Sequence, residues 1–405
     1  MEKNILPIKK AVLIFFVFAS GYFLSCLLRA ITATLSPLLT DEFNLLAGDL
    51  GLLAGGYFLG FASMQIPLGY LLDRHGPKKI VSSFLLIAII GTTAFALAQS
   101  FAGLIISRIL IGVGVSACLM GPLTGYRIWF ADEYQQRGNS WMLMIASSGF
   151  VFSTLPVQIL LPIFGWRWIF GGISILIFIV IILTLLFIPP WKKEIDNNDQ
   201  KNSGLLSDIW KNKFFRSTIP LGLFNYGGIM AVQTLWAGPW MVRVSGHDPL
   251  ESATGLFWIN VTMLIAFFVW GYILPKINKL GMDTMKLLKF GLPISYLSLF
   301  VIIISGENVG AIHFIIYILT SIVLSLTQPA VAMHFPTSLA GKSLTSFNLL
   351  IFLGTFIMQW GIGLIIDLSK YLGKGETQSF QISFAVYLII CILSYSYFIL
   401  KNKNE

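Results

Sequence analysis

Gly69–Lys79 reads GYLLDRHGPKK. It separates two apolar runs, GLLAGGYFLGFASMQIPL (51–68) and IVSSFLLIAIIGTTAFALA (80–98). A helix crosses a membrane in about 20 apolar residues, because it rises about 1.5 Å per residue. Each flank is about that long, so the eleven residues form a tight polar turn between two spanning helices. Gly69 would let helices approach closely. Gly76 permits a turn with positive φ. Asp73 is suited to accept hydrogen bonds from a helix N-terminus, or to pair with a basic side chain. Lys78 and Lys79 also fit a plainer role, as positive charges on the cytoplasmic side of a short turn.

The rest of the chain repeats this pattern. Of 405 residues, 56% are hydrophobic and only 11% are charged. A soluble domain carries roughly 25% charged residues, so this composition fits a bilayer and not water. Apolar runs place twelve spans at 11–36, 49–72, 80–98, 102–130, 140–163, 167–189, 216–243, 251–275, 287–305, 310–335, 344–368 and 379–400. The beginning of the chain imitates a signal peptide, but its apolar stretch continues to residue 36, too long for a cleaved segment. It reads as a retained first span. Cys26, Cys118 and Cys391 all lie in apolar runs and read as small buried side chains. No metal site, cofactor motif or phosphate-binding G-x-x-x-x-G-K-[ST] pattern stands in the sequence.

Charge sets an orientation. With the N-terminus inside, 20 of the 27 Lys and Arg fall in inner segments. Arg167, Arg243, Lys370 and Lys374 fall outside, and Arg29, Arg108 and Arg127 lie within spans. The positive-inside rule then puts both termini in the cytoplasm. The net charge of +9 is an orientation signal and implies no nucleic-acid partner. Residues 190–215 are polar and divide the chain into six spans (1–189), a cytoplasmic linker, and six more spans (216–405). Leu206, Ile209, Trp210 and Phe214 give the end of that linker an apolar side fit for an interface, or a simple tether. The halves share landmarks 202 positions apart: Asp49 with Glu251, and Gly69-Tyr70 with Gly271-Tyr272. Repeated halves with a site between them are a common transporter plan.

GYLLDRHGPKK resembles the signature of the major facilitator superfamily, between the second and third helices. Gly69, Leu71, Asp73, Arg74, Gly76, Lys78 and Lys79 match it, while Pro77 stands where a basic residue is usual. RILIGVGVSACLMGPLTGYRIWF (108–130) is similar to the family's fourth-helix pattern, through Arg108, Gly112 and Gly114. Arg137–Trp141 is similar to the usual start of the fifth helix. The resemblance covers the whole chain. It implies an all-α membrane protein of twelve helices in two pseudo-symmetric halves, monomeric and surrounded by lipid. It also implies that the Gly69–Lys78 loop belongs to a gate, and that spans one, four, seven and ten surround a cavity.

Charges inside spans are costly and mark function. Arg29 sits in the first span. It points to an anionic substrate, since a guanidinium forks onto carboxylate or phosphate oxygens. Pairing with helix carbonyls or with an acid of another span would explain it equally. Arg127 is either a substrate contact or a side chain snorkelling to the interface. Uncharged candidates are Asn225, Tyr226, Gln233 and Trp236 in span seven, Asn260 in span eight, Gln328 in span ten and Gln359 in span eleven. Interhelical hydrogen bonding is the alternative for each. Tyr22, Tyr57, Tyr126, Trp129 and Trp240 are aromatic options. No Asp or Glu lies deep in a span, so a coupling proton or ion would need another carrier, His313 and His334 included.

Together these readings give a secondary active transporter of a small solute, best an organic anion or metabolite, in a bacterial inner membrane. It would be a symporter or antiporter working by alternating access. A carrier for a larger ligand, such as a carboxylate siderophore or a drug, is the second reading. A membrane-embedded enzyme is the third, disfavoured because the four histidines are scattered over different segments.

Overall fold

The computed structural model describes residues 5–191 and 206–402, and among these the chain is helical with no strand. The first helices are α1 (Ile8–Phe43), α2 (Ala47–Ser63), α3 (Gln65–Leu97), α4 (Phe101–Val115), α5 (Ala117–Trp129), α6 (Asp132–Phe152) and α7 (Leu155–Phe187). After the linker come α8 (Leu206–Lys211) and α9 (Lys213–Pro220). A π turn (Leu221–Tyr226), α10 (Gly227–Ala231), a second π turn (Val232–Trp236) and α11 (Ala237–Arg243) continue that run. The chain ends with α12 (Pro249–Lys279), α13 (Thr284–Ser305), α14 (Ala311–Thr320), α15 (Thr327–His334), α16 (Thr337–Tyr371) and α17 (Glu376–Lys401).

Nine stretches of the described residues are long and apolar enough to cross a membrane. Two of them divide at a glycine, giving eleven of the twelve expected spans, and the α9–α11 run, which is not among the nine, is the other. Gly76 in α3 (φ 76°, ψ 163°) and Gly165 in α7 (φ 70°, ψ 159°) leave the helical region. A side chain disfavours that backbone, and glycine does not. Gly76 therefore ends the second span and begins the third, and Gly165 divides the fifth from the sixth. Shorter helices join to complete others, as α4 does with α5 and α14 with α15.

Contacts group the chain into two compact units, Met1–Ile31 with Gly56–Asp196, and Thr32–Gly55 with Asn197–Glu405. Thr32–Gly55, which chain order puts among the first six spans, thus packs in the second unit. Lipid tails are as apolar as leucine, so helices associate by close fit and not by hydrophobic exclusion. In the first unit a Cβ on Gly112 would meet the Tyr57 carbonyl, and one on Gly114 would meet the backbone of Ala88. These two glycines bring α4 against α2 and α3. In the second unit Trp236 and Trp240 are fully buried. Trp240 packs edge-on against Phe314, Phe380 and Phe384 and donates its indole N–H to the Gly306 carbonyl at 3.3 Å.

Linker residues 192–205 lie outside the described residues. Beyond them, Asn212 caps α9 by accepting the Phe215 N–H at 3.0 Å. Ile209, Phe214 and Phe215 are buried with Val331, Phe335 and Leu339. The apolar side expected at an interface is covered by the protein itself.

Candidate functional site

In the first unit the site is built around α1. Arg29 is only 6% exposed. Its guanidinium carbon lies 5.1 Å from the centre of the Phe61 ring and 5.8 Å from those of Tyr57 and Phe150. Aromatic faces attract a cation, by ~2 kcal/mol once water is removed. Arg108 of α4 is fully buried and lies 5.4 Å from the same Tyr57 ring. Its Nη1 donates to the Leu28 carbonyl at 2.9 Å, one residue before Arg29. Tyr57 thus serves two guanidiniums, and its hydroxyl donates to the Ser25 carbonyl at 3.0 Å. Among the described residues, Arg29 and Arg108 are the buried charged side chains.

In the second unit the polar residues meet at the second π turn. Such a turn adds a residue to the helical circuit and often marks a functional site. Gln233 Nε2 donates to Asn260 Oδ1 at 2.9 Å and contacts Met263 Sδ at 2.8 Å. Gln359 Nε2 donates to Thr234 Oγ1 at 3.0 Å. The Gln359 carbonyl accepts the Trp236 indole N–H at 3.1 Å. Gln359 Oε1 is buried with no hydrogen-bond partner among the described residues. Gln233, Trp236, Asn260 and Gln359 therefore form one cluster. Thr234, its fifth member, was not a sequence candidate; a lone threonine in an apolar helix gives no signal.

The other candidates stand apart from this cluster. Asn225 accepts from the Tyr296 hydroxyl at 2.7 Å and donates to Ser394, next to half-buried Tyr226. Gln328 donates to Asn348 at 2.8 Å. Arg127 is exposed in the last turn of α5. His313 accepts the Gly310 N–H at 3.1 Å, and His334 stacks on Phe214. Both histidines serve local structure.

At the polar turn, Asp73 is exposed, and exposed Arg74 donates to the Tyr70 hydroxyl at 3.0 Å. The close approach expected at Gly69 is not made there, since a Cβ would meet open space among the described residues. It falls at Gly76, where a Cβ would overlap the Trp191 side chain. The turn, and not the helix end before it, is the crowded point.

Twelve apolar helices carrying buried arginines and a buried amide cluster define a multi-pass membrane protein. The family model described as "Major Facilitator Superfamily" matches residues 18–359, and the chain belongs to that family. It is 23% identical to "Probable sulfoacetate transporter SauU" of Cupriavidus necator over 345 residues, covering 79% of this chain and 78% of the other. It is 25% identical to "Probable L-galactonate transporter" of Escherichia coli over 144 residues, 34% of this chain and 30% of the other. The structure aligns with that of a D-xylose-proton symporter at TM-score 0.77 and 15% identity, covering 96% and 97% of the two chains.

Proposed function

We propose that this chain is a secondary transporter of a small organic anion, working by alternating access. The observation that carries the reading is the pairing of Arg29 and Arg108 on one buried tyrosine ring. Two like charges in a low-dielectric interior act together on an anion. Arg29 is the forked binding group. Two relatives carry names of organic anions, sulfoacetate and L-galactonate. In the second unit the Gln233, Thr234, Asn260 and Gln359 cluster offers neutral donors and acceptors of its own. The chain sits in a bacterial inner membrane as a monomer with both termini cytoplasmic, and a proton or ion drives transport. Its six-span halves are 1–189 and 216–405, joined by linker 190–215. Loop residues Gly69, Asp73, Arg74, Gly76 and Lys78 gate the cytoplasmic side.

The test is thermal stability of the purified protein against organic acids, sugar phosphates, amino acids and nucleosides, for wild type and Arg29→Ala. A ligand at a hundred times its Kd adds about 2.7 kcal/mol to the folded state. An anion that stabilises wild type alone supports the reading. A neutral ligand that stabilises both equally overturns it.

A further inference from the structure

Thr32–Gly55 packs within the second unit, and one carboxylate of that unit hydrogen-bonds to it. Asp367, near the end of α16, accepts the Ala47 N–H on Oδ1 at 3.0 Å and the Gly48 N–H on Oδ2 at 2.6 Å. The first N–H groups of a helix have no partner within it and carry partial positive charge. A carboxylate is the matching acceptor, and both bonds are charge-assisted. Asp49, by contrast, caps only its own helix, taking the Leu46 N–H at 3.1 Å.

Below Asp367 the two helices meet at backbone distance. A Cβ on Gly48 would lie 2.8 Å from Asp367 Oδ2 and 3.1 Å from Leu364 Cδ2. A Cβ on Gly51 would meet the Gln359 carbonyl oxygen, and one on Gly363 the Ala47 carbonyl. Gln359 is therefore common to two structures. Its backbone lies against Gly51 in the α2–α16 seam, while its carbonyl and amide hold Trp236 and Thr234.

We propose that Asp367 is the latch of this seam. It fastens the start of α2 to the end of α16 while the amide cluster is closed from that end. It lets go when the cluster opens, and Gln359 carries the change between them. The inference rests on the chain being a transporter, and not on the anion or on Arg29.

The experiment uses the full chain in membrane vesicles, with its three cysteines replaced and Met263→Cys as reporter. A membrane-impermeant maleimide is applied from each face in turn, with no substrate present. Asp367→Asn keeps the side-chain volume and removes the charge. It raises labelling from the face on which Asp367 lies by about tenfold, the effect of a lost charge-assisted bond, and lowers labelling from the other face. Gly48→Ala keeps the carboxylate, wedges a methyl group against it, and shifts labelling the same way. Asp49→Asn leaves both rates within about twofold. Unchanged rates in folded Asp367→Asn and Gly48→Ala overturn the latch. So does a rise from both faces alike, or an equal effect of Asp49→Asn. An absent anion response with this labelling pattern intact would sink only the substrate reading.

Discussion

Trp236 donates its indole N–H to the carbonyl of Gln359, 123 positions later, at 3.1 Å. Neither residue is exposed. The bond ties a π turn of one span to the middle of another, at the point where four polar side chains converge.

Trp236→Phe keeps an aromatic ring near Phe380 and removes the donor. The Gln359 carbonyl is then buried without that bond. Interhelical hydrogen bonds in membranes contribute about 0.6 kcal/mol on average and up to ~1.7. Trp236→Phe and Gln359→Leu should each cost about that much, measured by unfolding in mixed micelles. Gln359→Leu leaves that carbonyl in place and removes the side-chain bond to Thr234 Oγ1, so its partner in a double-mutant cycle is Thr234→Val, and that pair should cost less than the sum. Strict additivity would mean the contact does not couple them.

Much of this was legible in the sequence. Spans follow from apolar length, and the polar turn at Gly69–Lys79 from its charges. Gln233, Trp236, Asn260 and Gln359 stood out as polar residues in apolar runs. Their pairing did not, because Gln233 meets Asn260 across 27 positions and Gln359 meets Thr234 across 125. No periodicity encodes such partners. The π turns were hidden too, since an added residue in a helix answers to packing and leaves no signature in residue type. Asp367 falls at the end of the 344–368 span, and its role depends on Ala47 and Gly48 arriving from α2. Gly69 was credited with a close contact that belongs to Gly76. Both are glycines of one motif, and only the fold says which is crowded.

Arg29→Lys separates charge from shape. Lysine keeps the cation but loses the planar fork and its stacking on Phe61. Anion binding should weaken by about 1.5–3 kcal/mol, the size of a hydrogen bond to a charged group. Titrating the stabilising anion against both proteins checks it. Equal affinity would reduce Arg29 to a point charge.

Gly112→Ala and Arg127→Ala should differ sharply although both lie in the same span. The first drives a methyl group into the Tyr57 carbonyl. Overpacking of this kind costs about 1–3 kcal/mol, and here it displaces the ring that both arginines share. Arg127 is exposed at a helix end, so its loss should stay within about 0.5 kcal/mol. Chromatographic monodispersity and melting of the two variants give the comparison.

Gly76→Ala carries two penalties that a second substitution can separate. Its φ of 76° is unfavourable for alanine by about 1–2 kcal/mol. Its Cβ would also overlap the Trp191 side chain. Trp191→Gly removes the overlap, the Trp191 Cβ included, and leaves the backbone strain. The double variant should therefore be more stable than Gly76→Ala alone, yet less stable than Trp191→Gly alone by about the strain term. Unfolding of the three variants, read against wild type, decides it. If Gly76→Ala costs the same with and without Trp191, the backbone conformation alone explains the glycine, and Trp191 does not support the turn.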